Sequence, residues 1–257
     1  MQRRTIIAAL FMIACGLLLA VRCGNPPVED TTLRVMTYNL HHCEGEDGVY
    51  DVSRIAQFMR ELEADIVLCQ EVDRGYSERS KMENQPELLA EMLGFHSFYG
   101  PNIGETYGNL ILSRFPIDSA ENVVLPNPED IEPRGVIVST ITVGEHTFSV
   151  LDTHLSAFSE TNRDVQVQFL RELVRKLEHP VIFGADFNSR PTGQLKPLLD
   201  YGVVMSSRIL TTRGEGIDDI LVSSGLSTGI TAGEVVENIF SDHPAFWIEL
   251  NLEAIEQ

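Results

Sequence analysis

Four short apolar runs in this chain each meet ionisable or amide side chains at one end. They are residues 65–71 (DIVLCQE), 148–155 (FSVLDTHL), 181–188 (VIFGADFN) and 241–250 (SDHPAFWIEL). Runs this short, apolar and bounded by polar residues read as buried strands. A buried strand holds the side chains at its end on a rigid backbone. Several such ends can therefore converge in one cleft, as metal-assisted hydrolysis requires. The fold must then be built mainly of sheets whose polar strand ends come together.

The rest of the chain agrees with a sheet-rich architecture. Strand signals fall near 33–40, 64–72, 109–117, 134–143, 146–155, 180–188, 218–223 and 244–251, with Gly144-Glu145 as a hairpin turn. Helical periodicity covers 51–64, with Ile55, Phe58, Met59 and Leu62 on one face, and 86–93. It also covers 162–178, where Val165, Phe169, Leu173 and Leu177 form a stripe. Asp51 and Thr161 are candidate N-caps. Strands outnumber helices, and the pattern predicts two mainly antiparallel sheets packed face to face with helices outside. Loops at 73–85, 99–107, 126–133 and 206–216 would rim the cleft.

The ordered segments MTYNL (36–40), QEVD (70–73), YGNLILSRFPI (107–117), THL (153–155), GADFN (184–188), IDDILVS (217–223) and SDH (241–243) give the chain a specific signature. Any one tripeptide recurs by chance, but the ordered set does not. On these segments the chain resembles the endonuclease/exonuclease/phosphatase superfamily, the DNase I-like metal-dependent phosphohydrolases. The resemblance implies an α/β (α+β) fold, a four-layer α/β/β/α sandwich. It implies Mg²⁺, with Mn²⁺ as a substitute, held by Glu71 and Asp242, with Asn39 adding a carbonyl oxygen or positioning Glu71. Hard oxygen ligands in small number suit Mg²⁺, which keeps several waters.

By the same resemblance Asp186 orients or deprotonates the attacking water, and Asn188 binds a phosphate oxygen. Spacing alone also allows Asp186 and Asn188 to form an Asx-turn. Asp218 fixes the His243 imidazole, with Asp219 as a rival partner, and His154 donates to a non-bridging oxygen. Tyr107 and Asn109 approach the scissile phosphate, with Gly108 permitting close backbone approach. Arg79 and Arg134 are candidates for substrate contact or for solvated surface ion pairs, and His41 and His42 could line the pocket. DNA-repair members of the superfamily generally carry acidic or glycine residues after the equivalent of Asn39 and lack THL. Both departures point to the phosphodiesterase, sphingomyelinase and phosphatase branch.

Residues 1–24 differ in character from the remainder. MQRR is followed by an uncharged, mostly apolar run from Thr5 to Val21, the layout of an export leader. Cys23 resembles the lipidated cysteine of bacterial lipoproteins; the alternative is an uncleaved membrane anchor. Either places the single remaining domain, 25–257, outside the cytoplasm. Cys43 and Cys69 are left, with a disulfide between them open.

The formal net charge is −19; without Arg3, Arg4 and Arg22 it is near −22. A surface this acidic repels duplex nucleic acid. The sequence thus predicts an exported, monomeric, Mg²⁺-dependent hydrolase of phosphate esters, a phosphodiesterase on a small or lipid-linked substrate. A secreted nuclease is the alternative, and a non-catalytic binding module on the same fold the third reading.

Overall fold

The computed structural model describes residues 31–189, 193–200, 203–205 and 216–255. The leader, Cys23 and nearly all of the 206–216 loop lie outside the described residues. Two six-stranded sheets form the centre. In spatial order the first contains β11 (Ile230–Val236), β12 (Ala245–Asn251), β1 (Thr32–Asn39), β2 (Ile66–Asp73), β4 (Tyr107–Ser113) and β3 (His96–Ile103). The second contains β5 (Ile117–Val124), β6 (Gly135–Val143), β7 (His146–His154), β8 (Val181–Asp186), β10 (Asp218–Ser223) and β9 (Val203–Met205).

Each sheet is antiparallel except for one parallel pair near its middle, β1 with β2 and β7 with β8. A helix lies in each crossover: α1 (Val52–Glu61) between β1 and β2, and α3 (Glu160–Val174) between β7 and β8.

Alternation along the strands distributes their side chains between two faces. Val35, Ile66, Ile137, Val150, Ile182 and Ile220 fill the space between the sheets. Met36, Val67 and Leu110 pack outward with α1 and with Leu89 of α2 (Gln85–Leu93). Leu151, Phe183 and Leu221 pack with Val167, Leu170 and Val174 of α3. Both faces of the central strands are buried, so their sequences read as continuous apolar runs. The result is the expected four-layer α/β/β/α sandwich.

The sheets come close together at Gly184. A Cβ there would stand 2.4 Å from Leu68 Cδ1 and 3.1 Å from Thr37 Cβ, both on the opposite sheet. Nearby, Gln70 Nε2 on β2 donates to Asp152 Oδ1 on β7 at 2.6 Å and to Thr37 Oγ1 at 3.2 Å. Burial holds the Asp152 carboxyl well above the usual carboxylate range.

Several sequence expectations are corrected. The 109–117 segment is not one strand: the chain turns at 114–116, where Pro116 removes a ladder donor, and passes from β4 into β5 on the other sheet. Strands β3 and β11, at the edges of their sheet, escaped notice because their side chains are mostly half-exposed and show little apolar contrast. Part of β3 occupies the expected 99–107 loop. Gly108 makes room for the backbone of β3, since a Cβ would lie 2.1 Å from the Gly100 carbonyl oxygen.

Ser159, not Thr161, caps α3, and its buried face carries Arg163, Gln166, Val167, Leu170 and Val174. The anticipated stripe through Phe169, Leu173 and Leu177 is only half-buried at the margin of that core. Asp51 caps α1 as expected, through Ser53 and Arg54 N–H groups. Cys43 and Cys69 are buried, free thiols.

Candidate active site

The topology gathers the polar strand ends at one edge of the sandwich. Asn39 ends β1, and Glu71 lies near the end of β2 parallel to it. Across the interface His154 ends β7 and Asp186 ends β8, paired in register. β10 runs antiparallel to β8, so its first residue, Asp218, lies opposite Asp186. β12 runs antiparallel to β1, so Asp242 and His243, just before it, arrive at the same edge. Tyr107 and Arg134 enter by the same logic, at or just before the starts of β4 and β6. Active sites outside the carboxyl ends of parallel strands follow from this geometry.

Asn39 is the joint between the sheets. Its Oδ1 accepts the His41 N–H at 3.0 Å, which fixes the amide orientation. Its Nδ2 then donates to Glu71 Oε1 and to Asp186 Oδ2, each at 3.1 Å. Asn39 thus positions Glu71 through its amide nitrogen, one of the two roles expected of it. Residues 41–43 all adopt positive φ, and this left-handed turn delivers the His41 N–H.

His41 lies with its Nδ1 3.9 Å from Asp242, and neither it nor His42 borders the cleft. Glu71 also has positive φ, 58°, and sits where the β2–β4 register slips between Cys69 and Val72. A bulge there re-aims the carboxylate out of the ladder.

His243 Nδ1 lies 2.8 Å from Asp218 Oδ2, and its Nε2 lies 3.8 Å from Asp186 Oδ2. Burial opposes charge on the imidazole, but the Asp218 hydrogen bond and charge, with Asp186 and Asp242, raise its pKa to about 9. Asp219 does not compete: it is buried and accepts its neighbour Ile220 N–H at 2.7 Å. Asp186 is raised to about 6 by burial and then by Asp218.

His154 is the counterpart on the second sheet. Arg134 Nη1 lies 3.1 Å from its Nδ1, and an arginine can only donate. His154 therefore carries its proton on Nε2, which stands 3.3 Å from Asp186 Oδ2. Burial, reinforced by the Arg134 charge, keeps the ring neutral, well below the usual histidine range. Arg134 is only 3% exposed and also pairs with Glu132 at 2.9 Å, so it is no solvated surface pair.

Asn188 forms the Asx-turn, its N–H bound to Asp186 Oδ1 at 2.9 Å, yet it also borders the cleft. Arg79 is bidentate to buried Asp73, at 2.7 and 2.9 Å, and lies over the rings of Tyr76 and Tyr107. Asn109 departs from expectation. Its amide donates to the Gly135 carbonyl at 3.2 Å, and it does not border the cleft.

The cleft has a volume of about 290 Å³, and Glu71, Tyr107, Arg134, His154, Asp186 and His243 border it. Tyr76, Glu132 and Phe158 border it too. Tyr76 and Glu132 lie in two of the loops expected to rim the cleft, whereas Phe158 had only the signal of a lone aromatic in the polar stretch SAFSE directly after THL.

The donor set fits a hard divalent cation. Burial raises the Glu71 pKa, and the charges of Asp242 and Asp186 push the same way despite the Asn39 hydrogen bond. Like-charged carboxylates facing one another through few donors are relieved by a cation. Asp186, Asp218 and His243 also bring ligand-type atoms within 4.8 Å of one another. The hydrogen bond between Asp218 and His243, however, commits that pair to each other. Glu71 and Asp242 stand outside that pair, Glu71 bound to the Asn39 amide and Asp242 facing His41.

Comparison with known proteins agrees with this geometry. A protein of Escherichia coli K12 named "Uncharacterized protein YbhP" is 29% identical over 171 residues, 61% of this chain and 67% of its own. An endonuclease/exonuclease/phosphatase structure from Beutenbergia cavernae superposes with a TM-score of 0.72 at 23% identity, over 86% of this chain and 72% of that one. The mannosyl-6-phosphatase Bt3783 of Bacteroides thetaiotaomicron superposes with a TM-score of 0.69 at 18% identity, over 85% and 99%. The model of the Endonuclease/Exonuclease/phosphatase family matches residues 36–243, from the strand that ends in Asn39 through to His243. With that span matched and its polar strand ends gathered at one cleft, the chain belongs to the endonuclease/exonuclease/phosphatase family of metal-dependent phosphate-ester hydrolases.

Proposed function

We propose that the protein is an exported Mg²⁺-dependent phosphodiesterase acting on a small or lipid-linked substrate. The observation that carries this reading is the charge of the cleft. Among the described residues, the two arginines of the cleft are already paired with carboxylates, Arg134 with Glu132 and Arg79 with Asp73. Glu71 and Asp186 border the same space, and Asp242 is close enough to act on Glu71. A monoanionic diester meets less repulsion there than a dianionic monoester or a polyanionic duplex.

Glu71 and Asp242 would hold the cation, which when bound neutralises phosphate oxygens and steadies the departing one. Asp186 takes the proton of the attacking water. His243 lies only 3.8 Å from Asp186. The entering and leaving oxygens lie on opposite faces of phosphorus, so both residues serve the water end. Asp218 orients His243, whose positive charge offsets the two neighbouring carboxylates. His154, locked as the Nε2–H tautomer, presents a donor to the same group.

Purified protein should hydrolyse bis-p-nitrophenyl phosphate with higher kcat/KM than p-nitrophenyl phosphate. It should nick plasmid DNA poorly, and most poorly at low salt, where repulsion is least screened. Efficient nicking at low salt would put the nuclease reading first, and inertness toward every ester would leave the binding-module reading. The lipid anchor rests on Cys23 and its apolar leader. Full-length protein should incorporate labelled fatty acid and Cys23→Ser should not; a labelled Cys23→Ser protein would remove the lipoprotein assignment.

A further inference from the structure

We propose that Phe158, with Tyr76, forms a subsite that binds a planar aromatic group on the ester of the substrate. This deepens the phosphodiesterase reading and rests on it for the position of the phosphate. Phe158 is 76% exposed although it borders the catalytic cleft, and Tyr76, on another loop of the same cleft, is 38% exposed. A single exposed aromatic is ordinary on a protein surface. What is not ordinary is how firmly the chain on either side of Phe158 is held.

Gln166 is fully buried and accepts the Ser156 N–H at 3.0 Å. Arg163, 9% exposed, donates to the Ser156 and Ala157 carbonyls at 2.7 and 3.2 Å. Ser159 then caps α3 through the Asn162 N–H at 2.9 Å. The inward face of α3 thus carries buried polar side chains, each costly to desolvate, that fix the backbone next to a ring left in water. A loop pinned by buried groups on both sides of an uncovered ring is a preorganised binding wall.

The second wall has the chemistry to match. The Arg79 guanidinium stacks over Tyr76 at 4.6 Å, held there by its two hydrogen bonds to Asp73. One ring on a pinned loop and a second held under a guanidinium favour a flat partner, which gains from stacking geometry that a flexible chain cannot match. The inner end of the cleft is polar and carries buried Asp186 and His154 beside half-buried His243. A substrate would therefore place its phosphate there and its aromatic substituent toward Phe158.

The test uses monoanionic probes with no bond to hydrolyse. Binding of diphenylphosphinate and dimethylphosphinate is measured by calorimetry in Mg²⁺ buffer, for wild type, Phe158→Ala and Phe158→Leu. Wild type should bind the diphenyl probe on the order of tenfold more tightly, the worth of aromatic packing. Phe158→Ala should lose most of that preference with dimethylphosphinate binding unchanged, and Phe158→Leu should lie between. Equal binding of both probes by wild type, or a preference kept in Phe158→Ala, would overturn the subsite. Equal weakening of both probes would also overturn it, by marking Phe158 as a support of the loop. Hydrolysis of methyl and phenyl p-nitrophenyl phosphate separates this from the parent reading. Inertness toward both, with the phosphinate preference intact, would remove the phosphodiesterase assignment and leave the subsite standing.

Discussion

A His243→Ala variant is expected to lose on the order of 10²–10³ in kcat, the usual range for removing one preorganised charge-stabilising group. The wild-type pH profile supplies the sharper test. Asp186 must be charged to accept a proton, so activity should fall as pH drops through about 6. His243 must be protonated to offset Asp218 and Asp186, so activity should fall as pH rises through about 9. A divalent cation at Asp242 would move that upper limb downward, changing its position but not its existence.

In the variant the upper limb should disappear. The lower limb should shift upward, because the His243 charge holds the Asp186 pKa down. Asp218→Asn should give a smaller loss, since it misaligns the ring without removing it. An upper limb that survives in His243→Ala would show that a group other than His243 titrates there.

The second large effect is expected at the carboxylates. Glu71→Gln keeps the size of the side chain and an oxygen for the Asn39 amide, but removes the negative charge. It should abolish Mg²⁺-stimulated hydrolysis, a loss of about 10³-fold or more if the cation supplies several kcal/mol at the transition state. EDTA should reduce the wild type to the same level, and Asp242→Asn should behave alike. Folding should be nearly untouched, because relief of like charges between Glu71, Asp242 and Asp186 offsets what is lost. Thermal melts with added Mg²⁺ check this: wild type should be stabilised by the metal and Glu71→Gln should not. Full activity in chelator would remove the two-carboxylate site.

The parts of this site legible in the sequence are those fixed by strand ends. Asn39, Glu71, His154 and Asp186 each close a run that is apolar because both of its faces are buried, so the switch to polar residues marks the edge of the sheet. The pairing of Asp218 with His243 spans 25 residues and came from family resemblance rather than from any local pattern.

What stayed hidden depends on partners far away in sequence. Arg134 looks like a surface cation until β6 and β7 pair and bring it to His154. Asn109 flanks a glycine and appears free for substrate, but the β6 backbone takes its amide. The inward face of α3 departs from the expected stripe for a related reason. Periodicity rewards apolar residues, whereas Arg163 and Gln166 are buried to hold the neighbouring loop.

The glycine contact between the sheets has a consequence for how this enzyme can vary. Glu71 and Asn39 belong to one slab and Asp186 and His154 to the other, joined at the site by the Asn39 amide hydrogen bond to Asp186 at 3.1 Å. The distance between Asp186 and Glu71 is therefore a gauge of how the two slabs are seated. Gly184 against Leu68 and Gln70 against Asp152 set that seating from within. Substitutions there touch no reacting atom, yet a shift of a few tenths of an ångström would be transmitted undiminished through close-packed strands. Drift in turnover among relatives can then arise in the interior, with every side chain of the cleft conserved in kind.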